Sequence, residues 1–598
     1  YSNKDVFLRE LVSNAADACD KLRFEALQDA GLYGDQPELR IDISWDKDAR
    51  TLTLTDTGIG MSRDELIGNL GTIARSGTKK FLEALSESQK ADAQLIGQFG
   101  VGFYSAFVVA DKVTVESRRA GGTEAWRWTS SGEGEFELDA SARSERGTAI
   151  TLHLKDGEDE YFDGWKLREL VRRYSDHIGF PIRMQTEKDG KPEGEFEAIN
   201  QASALWTRPK TELSDDDYQA FYKHISHDFN EALAWTHNRV EGNQNFTSLI
   251  YLPSKAPFDF QFNRDERRGL KLYVKRVFIM DAAEQMLPAY LRFVRGVLDS
   301  DDLPLNVSRE LLQGNRQLDK LKAALTKRSL DLLEKIARED NDKYLGFWHE
   351  FGGVIKEGLA EDHGNRERIA KLLRVASTQS EKADDLTSLD SYVERMKAGQ
   401  TAIYYLTADG WNAARHSPQL EALRARGIEV LLLHERIDEW AIGYLTEYAG
   451  KPLKHIGKGE LDLDALDSKE DKDKREEAAK AAQPLVDAVK ALLGDKVKDV
   501  RVSMRLTDSP ACLVQGEYDM SLHLQRLLKA AGQAAPASTP TLEINPQHAL
   551  LRRFEGESDA GRREDLALLL LEQAQVAEGA PLEDPAAFVQ RVNRLLAG

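Results

Sequence analysis

The sequence predicts a multidomain α+β protein, and three observations predict it. At 598 residues the chain is too long for a single hydrophobic core, so two to four domains are expected. Near its start, short segments of alternating polarity follow one another with hairpin-length links, as in an antiparallel sheet with helices on one face. Other stretches carry apolar residues at helical spacing, beginning with Leu8, Leu11, Val12, Ala15, Cys19 and Leu22.

Taken in order, Ser2 and Asp5 have the spacing of a helix-start box ahead of that first helix. Leu39, Ile41, Ile43 and Trp45 alternate as a strand, and a turn at Asp46 to Ala49 leads to a second strand from Leu52 to Asp56. Ala125 to Trp128, Phe136 to Leu138 and Thr148 to Leu154 read as further strands. The polar stretch Asp189, Gly190, Lys191, Pro192, Glu193, Gly194 reads as a linker. Beyond it strands and helices mix, up to a dense charge run from Ser468 to Lys480 that reads as a solvated helix or linker. The segment Ala531 to Thr541, rich in Ala, Pro, Ser and Thr, reads as a loop. The expected domains are residues 1–190, 196–466 and 481–598.

Composition removes several functions. Hydrophobic residues make up 41% and charged residues 30%, which suits folded domains rather than a disordered chain. A formal net charge of −20 argues against a protein that grips nucleic-acid backbone. The longest apolar stretch, Leu95 to Ala110, holds Gln98 and three glycines and is shorter than a membrane span, so no membrane partner is expected. The two cysteines, Cys19 and Cys512, have no metal or redox spacing and read as reduced thiols of a reducing compartment.

Three elements near the start carry chemistry together. Glu10, Asn14 and Asp17 fall on one helix stripe at i, i+4 and i+7; taken alone, such a stripe reads as a solvated face. Period-two alternation points Asp56 the same way as Leu52 and Leu54, and an inward carboxylate is costly without a partner. Gly58 and Gly60 follow it, and we expect them to let backbone approach a flat ligand. Gly97, Gly100 and Gly102 precede the apolar segment Phe103 to Ala110 and can present N–H groups to phosphate. Their order is not the dinucleotide fingerprint, and Gly71 to Lys79 fails as a P-loop.

These elements, with Thr148 on a later strand, resemble the ATP site shared by gyrase-type topoisomerases, mismatch-repair ATPases, histidine kinases and the ninety-kilodalton chaperones. The flanking words narrow the resemblance. Tyr1 to Ala18, Leu70 to Lys79, Ile96 to Ser105 and Leu303 to Glu310 are similar to signatures of the ninety-kilodalton heat-shock protein family in its bacterial form, and similarity runs along essentially the whole chain.

The resemblance implies a gyrase/histidine-kinase-like ATPase α/β sandwich at the N-terminus, an α/β middle domain and an α+β C-terminal dimerisation domain. It implies a stress-response chaperone in the cytoplasm that binds ATP with Mg²⁺ and remodels non-native client proteins through a homodimeric clamp, with other chaperones as further partners. Asp56 would accept the adenine amino group, with Gly58, Gly60, Met61 and Thr148 around the base. Asn14 would hold Mg²⁺ against the phosphates, Asp17 and Asn69 would line the site, and Glu10 would orient or deprotonate the attacking water. Gly97, Gly100, Val101, Gly102 and Phe103 would end a lid over the phosphates. Arg309, with Gln313 one turn on, would reach the terminal phosphate from the middle domain.

Client contact is expected at Phe258, Phe260 and Phe262, at Trp440, or on the helix of Met520, Leu524, Leu527 and Leu528. The stripes Leu566, Leu569, Leu570 and Phe588, Val592, Leu595, Leu596 are expected in a dimer bundle, against packing within one chain. The C-terminal sequence carries neither a Glu-Glu-Val-Asp nor a Lys-Asp-Glu-Leu tail and no long acidic linker occurs near residue 190, which favours a bacterial cytoplasmic protein. The family's segment upstream of Tyr1, which exchanges between ATP domains, is not in this sequence, so hydrolysis by this chain is an open expectation. A DNA-handling ATPase of the same fold would instead need a basic channel, and a histidine kinase a phospho-accepting helix pair ahead of the ATP domain. A module that binds nucleotide without turnover would not need Glu10 and Arg309.

Overall fold

The computed structural model describes residues 3–71, 102–188, 191–242, 244–257, 260, 269–281, 284–303, 305, 316–461, 469–530, 532–533 and 538–597. The chain divides into two compact units, residues 1–288 with 292–332, and residues 289–291 with 333–598.

The first unit opens with α1, Val6–Glu25. Its N-cap is Asp5, not Ser2, which lies outside the described residues, and no side chain caps the helix. The Asp5 carboxylate is engaged elsewhere: it accepts from the Tyr161 hydroxyl at 2.9 Å and pairs with Lys166 at 3.5 Å. Tertiary partners have outcompeted the local cap. A real capping box sits further on, where Ser62 and Glu65 start α2, Arg63–Leu70.

An eight-stranded sheet carries α1. Its strands are β1 Ile41–Asp46, β2 Thr51–Asp56, β3 Ala110–Arg118, β4 Ala125–Ser130, β5 Glu137–Ser141, β6 Gly147–Leu154, β7 Ile182–Lys188 and β8 Lys191–Ala198, in the order β5-β4-β3-β6-β2-β1-β7-β8. All neighbours are antiparallel except β1 with β7. Lys191 to Gly194, read as linker from sequence, belong to β8, which forms a hairpin with β7. The polar Pro/Gly composition marks a hairpin end. The inward faces of β1, β2, β3 and β6 place Ile41, Ile43, Leu52, Leu54, Val113, Val115 and Leu152 against Leu8, Leu11, Val12 and Ala15 of α1. Each such burial is worth roughly 1.5–3 kcal/mol.

The same unit holds a second sheet of β9 Ala232–Val240, β10 Phe246–Pro253, β11 Leu270–Val274, β12 Val277–Met280 and β13 Arg295–Ser300, ordered β12-β11-β13-β10-β9. Lys275 and Arg276 join β11 to β12 in a two-residue turn with φ of 50° and 65°. Neither is glycine, and the left-handed region costs such residues roughly 1–2 kcal/mol each. Trp206 is buried beneath this sheet and donates its Nε1–H to Asp299 Oδ2 at 2.8 Å.

In the second unit, β14 Ala376–Ser377, β15 Ile403–Thr407, β16 Leu431–Leu433, β17 Glu447–Tyr448 and β18 Lys451–His455 form a sheet ordered β14-β16-β15-β18-β17. A last sheet, β19 Asp499–Val502, β20 Ala511–Val514 and β21 Thr541–Ile544, is ordered β19-β21-β20. Polar groups join the two, Arg505 and Glu543 buried and Glu421 half-buried. Arg505 donates to Glu543 at 2.5 Å and to the Ile456 carbonyl at 2.8 Å, and Glu421 accepts the N–H groups of Thr507, Asp508 and Ser509 at 2.7, 2.8 and 3.1 Å. The charge run is a helix, Lys469–Ala481, whose described side chains are exposed apart from half-buried Lys472, Arg475 and Ala479.

Leu566, Leu569 and Leu570 are buried against β20 and its neighbours, so that stripe packs within its own chain. Leu595 is buried in the same core, while Leu596 stays 77% exposed. Both cysteines are free and buried, and burial pushes both thiols well above their ordinary range. Among the described residues no helix is long and apolar enough to cross a membrane.

Candidate active site

The polar stripe of α1 faces inward. Glu10 and Asp17 are only 3% and 2% exposed and Asn14 is half-buried, so this is not the solvated face that spacing alone suggests. Arg9 pairs with Glu10 at 3.2 Å and stacks over Tyr174 at 5.9 Å. Gly102 abuts Glu10 so closely that a Cβ there would collide with the Glu10 carboxylate. The end of the glycine-rich segment is thus packed directly against the acid.

Asp56 ends β2 with its carboxylate buried, as the alternation predicts. Gly58 N–H donates to its Oδ1 at 2.9 Å. Burial raises the Asp56 carboxyl to about 6, offset by the Gly58 N–H, Arg143, the Thr148 backbone and Arg146. A carboxylate offers about four lone-pair sites, so acceptor capacity remains for a ligand donor.

The two glycines after Asp56 each have a close protein neighbour. A Cβ on Gly58 would lie 2.5 Å from the Ala18 carbonyl carbon, because Ile59 N–H donates to Ala18 O at 2.9 Å and ties α1 to the strand end. Gly60 has φ of 65°, and a Cβ there would strike the Arg118 carbonyl of β3. The approach of protein backbone by itself accounts for glycine at both positions.

A hydroxyl pair that the sequence reading missed completes this corner. Ser117, fully buried on β3, lies 2.8 Å from Thr148 Oγ1 and accepts the Met61 N–H at 2.8 Å. Asn69 Nδ2 reaches Met61 Sδ at 3.9 Å, joining α2 to the same cluster. Arg146 was also missed. It donates to the Thr57 carbonyl at 3.1 Å and lies 5.9 Å over the Tyr33 ring, fixing the turn behind Asp56. Phe103 is buried against Trp128, with ring centroids 5.6 Å apart. Gly97, Gly100, Val101, Arg309 and Gln313 lie outside the described residues, as do Phe258 and Phe262.

A helix bearing buried Glu10 and Asp17 with half-buried Asn14 between them, laid across a mixed sheet whose central strand ends in a buried aspartate, defines an ATP-binding module of the gyrase and histidine-kinase type. In agreement, residues 1–142 match the family "Histidine kinase-, DNA gyrase B-, and HSP90-like ATPase". Residues 189–598 match "Hsp90 protein". Three curated relatives are each called "Chaperone protein HtpG". That of Chromobacterium violaceum is 56% identical over 602 residues, covering 100% of this chain and 95% of its own. Those of Burkholderia lata and Paraburkholderia xenovorans are 58% and 56% identical, covering 100% of this chain and 96% and 95% of theirs. The chain belongs to the Hsp90 family. It is an ATPase and an ATP-dependent chaperone.

Proposed function

We propose that residues 1–190 bind ATP at the Glu10–Asn14–Asp17 stripe and Asp56, that residues 196–466 supply Arg309 and client contact, and that residues 481–598 hold two chains together. The observation that carries the pocket is the buried Asp56 carboxylate with acceptor capacity to spare beside the Ser117–Thr148 pair. There it accepts the adenine amino group, with Gly58, Gly60, Met61 and Thr148 around the base and Asn69 lining the site. Glu10 orients or deprotonates the attacking water, and Gly97, Gly100, Val101, Gly102 and Phe103 bound the phosphate side. Arg309 and Gln313 compensate charge on the terminal phosphate, as an arginine does in other NTPases.

The Asn14 carboxamide is a neutral oxygen donor of the kind Mg²⁺ accepts alongside phosphate oxygens. Bound Mg²⁺ would supply charge neutralisation at the phosphates. Asp17, close to Asn14 on α1, would keep that edge of the pocket polar.

Client contact is best supported in the second unit. Trp440 and Tyr444 are 41% and 40% exposed with ring centroids 5.4 Å apart. Ser521 bonds Glu439, joining them to the helix Leu522–Ala530. That helix buries His523 and Gln525 while Leu524, Leu527 and Leu528 stay half-exposed, the reverse of ordinary core packing. Apolar area left open in this way suits transient capture of non-native chains. Phe260 is half-buried beneath Arg292, 5.5 Å over its ring. Val576, Val589 and Leu596, 52%, 54% and 77% exposed, favour a homodimer contact at the C-terminal helices. The cytoplasm as location, and other chaperones as partners, belong to the same reading.

Calorimetric titration of the whole chain with ADP and with a non-hydrolysable ATP analogue, with and without Mg²⁺, tests the pocket. One saturable site per chain, tightened by Mg²⁺ and lost in Asp56→Asn, is expected. Heat of binding undiminished in that variant refutes the assignment.

A further inference from the structure

Lys356, on the helix Asn341–Glu361, is 3% exposed, a burial that lysine rarely reaches unless it is paired. Its ammonium lies 2.6 Å from Asp438 Oδ1 and 2.9 Å from Glu435 Oε2, and 5.8 Å over the Trp348 ring. Burial pulls the ammonium down, but the Asp438 and Glu435 charges more than offset it, so Lys356 stays charged. The other oxygen of Asp438 accepts the Glu435 N–H at 3.0 Å, and the Asp438 N–H donates to the Glu435 carbonyl at 2.9 Å. These bonds close the turn that opens the helical segment Asp438–Ala441. Lys356 therefore fastens to a long helix the turn that carries Trp440.

The next residue carries the polar chain onward. Glu439, 8% exposed, accepts the Ser521 hydroxyl. Ser521, 4% exposed, in turn accepts the Leu524 N–H at 3.0 Å and so starts the helix Leu522–Ala530. Two apolar patches thus stand at the two ends of one buried polar chain: Trp440 with Tyr444, and Leu524 with Leu527 and Leu528. Well-packed apolar side chains in place of a buried ion pair often hold a fold as well or better. What the charges and hydrogen bonds add is a fixed direction, because each carboxylate oxygen of Asp438 is held by a different donor.

We propose that Lys356, Asp438, Glu439 and Ser521 form a strut that fixes the spacing between the two apolar patches, so that one unfolded polypeptide is held at both patches at once. The proposal rests on the client-contact reading above. Each patch alone is small and binds weakly. A chain held at one patch meets the other at an effective concentration that their spacing sets, so the pair binds far more tightly than either. Lys356 and Ser521 are positioning residues: buried themselves, they act on the client through the placement of Trp440 and of the helix Leu522–Ala530.

The test titrates the whole chain against two probes. One is labelled α-lactalbumin, reduced and carboxymethylated so that it stays unfolded, read by fluorescence anisotropy. The other is the dye anilinonaphthalene sulfonate, which reports open apolar surface patch by patch and rises when packing is lost. K356M should bind the unfolded chain at least about 10-fold more weakly, the low end of what simultaneous engagement adds. Its dye binding and ADP affinity should match wild type. S521A cuts the same strut, so K356M/S521A should be no weaker than the weaker single variant, whereas two independent structural losses would multiply. Should K356M not fold, K356M/D438N carries the same test, since an Asn oxygen still accepts the Glu435 N–H and no buried charge is left alone. Wild-type affinity of these variants for unfolded α-lactalbumin, or losses that multiply, overturns the strut while W440A still weakens that binding. Wild-type affinity in W440A would bring down the client-contact reading and the strut with it.

Discussion

Ser117 and Thr148 face each other across neighbouring strands with their hydroxyl oxygens 2.8 Å apart, and Ser117 also receives the Met61 N–H at 2.8 Å. The pair fixes Thr148 opposite Asp56, its register partner on β2. Ser117→Ala leaves a buried N–H at Met61 and a hydroxyl at Thr148 short of a partner, a loss of roughly 1–3 kcal/mol. We expect weaker ADP binding with kcat at saturation nearly unchanged, read by calorimetry beside steady-state turnover.

Asp56 gives a pH dependence with a definite sign. Its folded carboxyl is raised from 3.8 to about 6, so the stability it contributes is full below 3.8 and lost as pH rises through 6. At pH 7 the ionised, buried group costs stability on the order of 2–3 kcal/mol. Asp56→Asn should therefore melt higher than wild type at pH 7.5, with the gap closing between pH 6 and 4. ADP affinity of the wild-type protein should fall below pH 6, because adenine donates to the ionised form. Melting curves and titrations across pH 5–8 check both.

Glu10→Ala should bind ATP and hydrolyse it at least about 100-fold more slowly, the lower end of the range for loss of a general base. Arg309→Ala should also lower kcat and leave the ADP affinity of the whole chain nearly unchanged. Turnover near wild type in Glu10→Ala would show that the buried acid serves the Arg9 pair alone.

Removing the chain from Pro581 onward should turn dimers into monomers and lower kcat, leaving ADP affinity of each chain unchanged, since tethering raises the effective concentration of one ATP domain near the other. Light scattering at micromolar concentration reads the first effect. The truncation also removes Leu595 and the Arg591–Glu572 pair at 2.5 Å, so a parallel variant, Val589→Asp with Leu596→Asp, tests the exposed face alone.

Much of the first sheet was legible, because half-buried strands declare themselves by alternation. The expected strands Leu52–Asp56 and Thr148–Leu154 agree with β2 and β6 within a residue. The missed strand β3 carried the same signal, Val113, Val115 and Ser117 all pointing inward, but its polar Asp111 and Lys112 and the apolar run before it hid the start. That omission cost Ser117. Helix α1 was legible by its apolar face, whereas the burial of Glu10 and Asp17 was not, since spacing says which residues share a face and not what covers it. Gly58 and Gly60 were found, yet their cause is the approach of Ala18 and Arg118, a long-range contact that no local pattern encodes. The C-terminal stripe divided, Leu595 inward and Leu596 outward, because helical periodicity cannot say which of two adjacent apolar residues the chain's own core will take.

Cys19 and Cys512 are both buried, and burial disfavours the thiolate of each. Alkylating and maleimide reagents act on the thiolate at accessible sulfur. The folded protein therefore offers a quiet background for site-directed labelling. A cysteine introduced at an exposed position such as Trp165 or Tyr518 would take up a fluorophore or spin label without first deleting native sulfur. The two native thiols would react only on unfolding, so their modification rate under native conditions becomes a clock for local opening around α1 and β20.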